Sequence, residues 1–446
     1  MKDDWQLAQT LSDKDASLIE RLLAPDLIGG TLLILATAVA LVWANSPAGA
    51  SYDALWSMRL TIDLGSFEIS KPLIHWINDL LMAIFFLLIG LEMKAELLTG
   101  ELNSPSKAAL PAIAAIGGMV APAVVFLLLT YGTPAAKGWG IPIATDIAFA
   151  LGCMRMLGKR GPGGLKVFLT AVAIIDDLGA ILVITIFYGH DLSVAALSVA
   201  AALTLALYIV NRAGVRRILP YLLLGTLLWF AALKSGIHAT IAGVILGLSI
   251  PADALRSSEE ALGRAGEILV RAGLESKSTI HDLFAELNMT ESPLRFLERS
   301  LSPWVNLAII PIFALANAGV HVANLSIVDL KSPAAVGIVL GLVVGKRLGI
   351  FSATYAAVRA GWGSVPSGVS WQHLYGAGVL GGIGFTMSLF ITVLAYGEGT
   401  QMAEQAKLAI LVASLTCAID GLIVLGKVGG RALEASLDSG QAGQEQ

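Results

Sequence analysis

Apolar residues fall in long runs along this chain, broken by short polar stretches, and the runs are too long and too uniform for the alternation of a half-buried strand. Twelve of them, at 27–43, 73–93, 108–131, 139–156, 165–188, 192–210, 219–233, 237–250, 304–320, 334–358, 374–396 and 406–425, read as helices that cross a bilayer. Three other regions break the pattern. Residues 1–24 place leucines among charges at helical spacing, a segment expected to lie on the membrane surface. MRLTIDLGSFEIS alternates apolar and polar residues around Gly65-Ser66, a hairpin signal outside the bilayer. Residues 251–302 are hydrophilic, and SSEEALGRAGEILVRAGLE within them reads as a soluble helix. The chain therefore divides into a surface segment (1–24), a first membrane part (25–250), a long loop (251–302), a second membrane part (303–428) and a tail (429–446).

Composition agrees with the pattern. Of 446 residues 56% are hydrophobic and only 14% charged, the balance of a polytopic membrane protein, and 47 glycines suit close helix packing in lipid. The formal charge of −4 decides little, because most charges sit in loops. Their sign matters more. Arg155, Lys159, Arg160 and Lys166 share one loop, Arg212, Arg216 and Arg217 another, and five arginines lie in 251–302, while the intervening loops hold few. That bias places both termini in the cytoplasm. Residues 1–24 lack an apolar core followed by a cleavage site, so the first span is expected to act as its own insertion signal. Cys153 and Cys417 both fall in apolar spans, which argues against a disulfide framework. No HExxH, Walker or dinucleotide motif is present, so neither a cofactor nor a nucleic-acid partner is expected.

The candidate chemistry lies inside the spans. LKVFLTAVAIIDDLGAILVITIFY carries Asp176 and Asp177 near its middle. One such carboxylate costs about 2.5–3.5 kcal/mol on insertion scales, and an intramembrane acid is by default a proton or cation site. Neighbours on a helix point about 100° apart, so one acid can line a cation site while the other reaches a neighbouring helix. Lys346, in GLVVGKRLGIF, is deep enough to need a partner, and Asp176 or Asp177 is the obvious one. Two spans carry breakers: Pro142 ahead of Thr145-Asp146 in IPIATDIAFALG, and Gly381, Gly382 and Gly384 in VLGGIGFTMSLF. Each can unwind near mid-membrane, where freed backbone is tolerated only in protein or beside a cavity. Paired broken spans in two halves of a chain point to a transporter site. Asp146 would complement the positive end of a restarting helix, with Thr145 as an oxygen ligand or cap. Glu92 and Glu96 share a face and could collect cations at a funnel mouth or simply solvate a helix end. Asp79 and His238 read first as structural residues.

These residues resemble a known family, the NhaA-type sodium/proton antiporters. The resemblance covers roughly 25–425 and rests on WINDLLMAIFFLLIGLEMK, IATDIAFALG, AIIDDLGAI, SGIHATIAGVILG, PIFALANAGV, GKRLGI and GGIGFTMSLF, in family order. It implies an all-α polytopic membrane protein of about twelve spans, built as inverted repeats, with two discontinuous helices crossing at mid-membrane and a small extramembrane β-hairpin. It implies a transporter rather than an enzyme, in a bacterial inner membrane, that extrudes sodium or lithium against protons electrogenically and under pH control. By the resemblance Asp177 is the principal cation ligand, Asp176 carries a proton and pairs with Lys346, and Thr145 and Asp146 sit at the crossing. Glu92, Glu96, His238 and Glu298 would belong to the pH response, and the hairpin near 59–69 to a homodimer contact. Three positions depart from the pattern: Ala95 in place of Arg, Ser302 in place of His, and Arg347 in place of Pro. The rival readings are a sodium-coupled symporter, an intramembrane aspartyl protease using Asp146 and Asp176, and a passive channel.

Overall fold

The computed structural model describes residues 25–63, 68–100, 102–158, 161–189, 192–253, 263, 291–322 and 329–442. The expected surface segment 1–24, the Gly65-Ser66 turn and most of the 251–302 loop lie outside the described residues. The rest is a bundle of helices. In chain order these are α1 (Pro25–Ala44), α2 (Gly49–Ser57), α3 (Leu73–Thr99), α4 (Pro105–Thr130), α5 (Ile147–Met156), α6 (Gly163–Phe187), α7 (Val194–Arg212) and α8 (Ile218–Ser235). There follow α9 (Ile241–Ser249), α10 (Pro293–Asn317), α11 (Pro333–Arg359), α12 (Trp371–Gly381), α13 (Phe385–Tyr396) and α14 (Gln401–Ala442). Among the described residues eight helices are long and apolar enough to cross a membrane, or up to ten if each of two bent pairs is one span. Leu128, Ile186, Val194 and Leu219 are each more than half exposed on the outer faces. Such a belt of apolar side chains fits a lipid surround rather than water.

The hairpin is present: β1 (Arg59–Asp63) pairs antiparallel with β2 (Glu68–Pro72), with Arg59 opposite Pro72 and Asp63 opposite Glu68. It is tied to the bundle where the Trp76 indole N–H donates to the Leu60 carbonyl at 3.2 Å.

One expected span is shorter than its apolar run. Within 237–250 only Ile241–Ser249 is helical, about 13 Å of helix against a hydrocarbon core of about 30 Å. Gly236 explains the late start: it ends α8 in the left-handed conformation (φ +82°), and the chain turns through His238 before α9 begins. Packing makes up for the lost length. A Cβ built on Gly243 would lie 2.1 Å from the Ala83 carbonyl oxygen, and one on Gly247 2.7 Å from that of Leu87, so α9 and α3 meet backbone to backbone. Only glycine permits that approach. Gly349 meets Gly117 in the same way, seating α11 on α4 one turn beyond Lys346.

Two interruptions organise the centre. Ahead of α5 the chain runs as a 3-10 helix over Pro134–Ile143, with Pro142 inside it, and then as extended backbone through Ala144 and Asp146. Between α12 and α13 the helix stops at Gly382–Gly384 and resumes bent by 41°. The two gaps lie against each other: the Asp146 N–H donates to the Ile383 carbonyl at 2.7 Å, and the Ser388 hydroxyl to the Ile141 carbonyl at 2.8 Å. Polar backbone that each helix gives up is thus satisfied by the other, which is what makes the breaks tolerable away from water.

Candidate ion-binding site

Six side chains converge where the two interruptions cross. Asp146, Asp176, Asp177, Thr145, Lys346 and Thr386 are all buried, with Asp176 and Lys346 at 0% exposure. Their arrangement follows from which element carries each.

Asp176 and Asp177 are consecutive on α6, so the helix turns them to different sides. Asp176 faces α11 and forms an ion pair with Lys346 at 2.7 Å. The same ammonium donates to the Ile143 carbonyl, at the end of the 3-10 helix. A cation there offsets both a carboxylate and the negative end of an interrupted helix. The lysine sits on a π-helical stretch, Gly341–Lys346, within α11. Such widened turns shift the side-chain register and are frequent at functional sites. The Thr145 hydroxyl lies 2.9 Å from both Asp176 Oδ2 and the Gly381 carbonyl oxygen. It has one proton for two acceptors, so it can satisfy fully only one of them at a time.

Asp177 faces the other way. It lines a cavity of about 260 Å³, together with Asp146, Thr386, Glu92, Glu96 and Glu298. Its Oδ1 is buried and has no hydrogen-bond partner among the described residues, as is true of Asp176 Oδ1. An unpartnered buried carboxylate oxygen is costly, and a proton or a small cation would remove that cost.

Asp146 is the N-cap of α5. Its Oδ1 accepts from the Phe149 N–H at 2.9 Å, while its Oδ2 accepts from the Thr386 N–H at 3.1 Å and the Thr386 hydroxyl at 2.5 Å. It is therefore held by the starts of both resumed helices, α5 and α13. Replacing Thr386 by valine keeps the shape and removes one donor to a charged acceptor, an interaction worth roughly 1.5–3 kcal/mol. The variant is expected to melt at lower temperature in detergent and to exchange ions more slowly than the parent.

Electrostatics sets the logic of the cluster. Three acids and one lysine share a buried volume, so full ionisation would leave two uncompensated negative charges in a medium that tolerates none. Protons or a metal cation must supply the balance. Among the described residues no group of three or more His, Cys, Asp or Glu side chains is placed to hold a metal ion.

The other candidates are distributed as follows. Glu298 pairs with Arg295 at 3.0 Å, and Arg295 also bonds the Thr99 hydroxyl, which closes one wall of the cavity mouth. Ala95 and Ser302 line the same cavity. His238 does not: it packs edge-on against Phe390, with Nδ1 3.1 Å from the Thr240 hydroxyl. The third departure has a local reason, since Arg347 forms an ion pair with Asp420 at 2.8 Å and bonds the Tyr375 hydroxyl. Asp79 is paired with Lys71 at 2.8 Å, and Cys153 and Cys417 are free and buried. Sequence reading missed Thr386. The sequence signal was slight, a hydroxyl residue two positions after Gly384, and its place opposite Asp146 shows only in the fold.

Comparison with known proteins gives the chain its family. The family model described as Na+/H+ antiporter 1 matches residues 20–425. The chain belongs to this family. The Na(+)/H(+) antiporter NhaA of Oleidesulfovibrio alaskensis is 48% identical over 427 residues, covering 93% of this chain and 94% of that protein. The Na(+)/H(+) antiporter NhaA 2 of Shewanella denitrificans is 46% identical over 412 residues, covering 92% and 96%. The NhaA of Rhodospirillum rubrum is 47% identical over 405 residues, covering 90% and 94%. The sodium proton antiporter of Methanocaldococcus jannaschii has a similar fold, with a TM-score of 0.52 over 95% of this chain and 96% of its own, at 13% identity. The chain is thus a multi-pass membrane protein of a family of sodium/proton antiporters, transporters rather than enzymes, whose substrates are Na+ and H+.

Proposed function

We propose that this chain exchanges Na+ or Li+ for protons by alternating access, with Asp177 as the cation ligand and Asp176 as a proton carrier held by Lys346. One observation carries the assignment: the two adjacent acids face different ways, Asp177 into the cavity and Asp176 into a buried ion pair. A hard cation wants oxygen ligands, and Asp177, Asp146, the Thr386 hydroxyl and carbonyls freed at the crossing supply that class of donor. Protons and the cation compete for the same carboxylates. That competition couples the fluxes, because a neutralised site can reorient through the bundle while an empty charged one resists.

Asp176 joins the cycle through Thr145. While Asp176 is charged it holds the Lys346 ammonium and draws the Thr145 proton; once it takes a proton, Thr145 is released to the Gly381 carbonyl at the second break. A change of protonation on α6 thereby reaches the interrupted helix α12–α13. Glu92, Glu96 and Glu298 line the route to Asp177 and give the cavity the charge that gathers cations. They are the groups to examine for a pH response, ahead of His238.

The Lys and Arg bias puts the cavity mouth, beside Arg155 and Arg295, on the cytoplasmic side of a bacterial inner membrane, with both termini there too. More protons than sodium per cycle would make exchange electrogenic, since each net charge gains roughly 2.3 kcal/mol per 100 mV. Leu60 on the first strand of the hairpin and Met58 just ahead of it are exposed, a surface for a second copy of the chain. A protease reading gains nothing from the geometry: Asp146 bonds Phe149 and Thr386 while Asp176 bonds Lys346 and Thr145, so the two share no proton.

The test is exchange in everted vesicles. Adding Na+ or Li+ should dissipate a preformed pH gradient with no organic solute present. A requirement for such a solute would favour a symporter and remove the antiport reading.

A further inference from the structure

Away from the ion path, a groove of about 430 Å³ opens between α11, α12 and α14. Its walls are aromatic and apolar: Phe351 from α11, Trp371 and Tyr375 from α12, and Val424 from α14, with Gln372 and Lys427 at the polar end. The rings form one connected set. Phe351 meets Trp371 at 6.1 Å and Tyr375 at 5.9 Å, and Tyr355 meets Trp371 at 5.2 Å, all edge to face. Cations stand at both ends of the set. Arg347 lies over Tyr375 and is neutralised by Asp420. Arg359 lies over the Tyr355 ring at 5.7 Å, and among the described residues it has no acidic partner. Lys427 is exposed and has neither an ion pair nor a hydrogen bond among the described residues.

The depth of this groove is fixed by its neighbours. The chain between α11 and α12 passes against Gly164 at the start of α6, where a Cβ would lie 3.1 Å from the Ser367 carbonyl oxygen. The groove's polar end therefore sits at the Lys- and Arg-rich end of the bundle, at the level where a membrane's headgroups begin. Tryptophan and tyrosine prefer that level, and basic pockets between spans on that side take anionic headgroups.

We infer that this groove binds one anionic glycerophospholipid, its phosphate at Lys427 with Arg359 beyond Tyr355 adding positive charge at the rim, and an acyl chain along Phe351, Tyr375 and Val424. A lysine in the groove and an arginine beyond its rim, both without an acidic partner among the described residues, beside a wall of edge-to-face rings, match a ligand with a negative head and an apolar tail. A zwitterionic lipid lacks the net charge, and a free phosphate lacks the tail. Because α11 carries Lys346 and α12 ends at the second break, the bound lipid would brace the outer side of the helices that hold the ion site.

Native mass spectrometry of the delipidated full chain tests this, by titration with phosphatidylglycerol, phosphatidylcholine of the same acyl chains, and inorganic phosphate. Phosphatidylglycerol should bind tightest and inorganic phosphate should not compete with it. At about 1 kcal/mol per basic residue near the surface, the Lys427→Gln/Arg359→Gln double variant should bind phosphatidylglycerol about thirtyfold more weakly, and Lys427→Gln alone about fivefold. Both residues are exposed, so the variants should keep the elution profile and melting temperature of the lipid-free parent. Equal affinity for the two lipids, unchanged affinity in the double variant, or displacement by inorganic phosphate would each overturn the inference.

Discussion

Asp177→Asn is expected to abolish sodium-dependent proton exchange while leaving the protein folded. Asparagine fills the same volume in α6, so the helix and its packing on α4 are retained. What goes is the negative charge of an acid that faces the cavity and whose Oδ1 has no partner among the described residues. Removing one member of a buried charge interaction costs roughly 3–5 kcal/mol, so cation affinity should fall at least a hundredfold. The amide also cannot take a proton at any accessible pH, so both halves of the exchange are lost together. Isothermal titration with Li+ or Na+ on the purified variant, next to its melting curve, checks this. A variant that melts normally but binds no cation fits the assignment. One that still binds within a few-fold of the parent shows that the ligand is another residue.

Lys346→Ala should instead act on the protein itself. The lysine is wholly buried, and among the described residues its ammonium bonds only Asp176 and the Ile143 carbonyl. Truncation leaves a cavity and a bare carboxylate. If that carboxylate stays charged the loss is roughly 3–5 kcal/mol, and if it takes a proton most of the electrostatic part disappears. The destabilisation should therefore grow as pH rises, since alkaline conditions strip the proton that replaces the lysine. Melting temperatures of parent and variant across a pH series read this directly: the gap should widen towards alkaline pH. A gap constant with pH would mean that Lys346 contributes only volume.

How far the sequence already contained this site differs from residue to residue. Asp176, Asp177 and Lys346 stand out because each is a charge in an apolar run, and no packing argument places charges there cheaply. The interruptions were legible too, from Pro142 and from three glycines within four positions. Which of the two aspartates meets the lysine was given by the family resemblance and not by the spacing of the residues themselves. Helix geometry separates them by about 100°, yet which one faces the lysine depends on how α6 is rotated against α11. Thr386 and Ser388 look like ordinary hydroxyls in a membrane helix; their meaning comes from a chain more than 200 residues away, at Asp146 and Ile141. The π-helical stretch around Lys346 leaves no mark in the hydrophobic pattern. Nor does the pairing of Arg347 with Asp420, since an arginine beside a buried lysine reads as a helix end when its partner is on another span.

The central claim is that H+ and Na+ contend for one carboxylate. It is tested most directly by the Na+ concentration that half-saturates exchange in proteoliposomes, measured across a pH series at zero membrane potential. Competition predicts that this concentration rises about tenfold per unit fall in pH for each competing proton, towards a common maximal rate. A half-saturating concentration indifferent to pH, with only the maximal rate changing, would contradict the account.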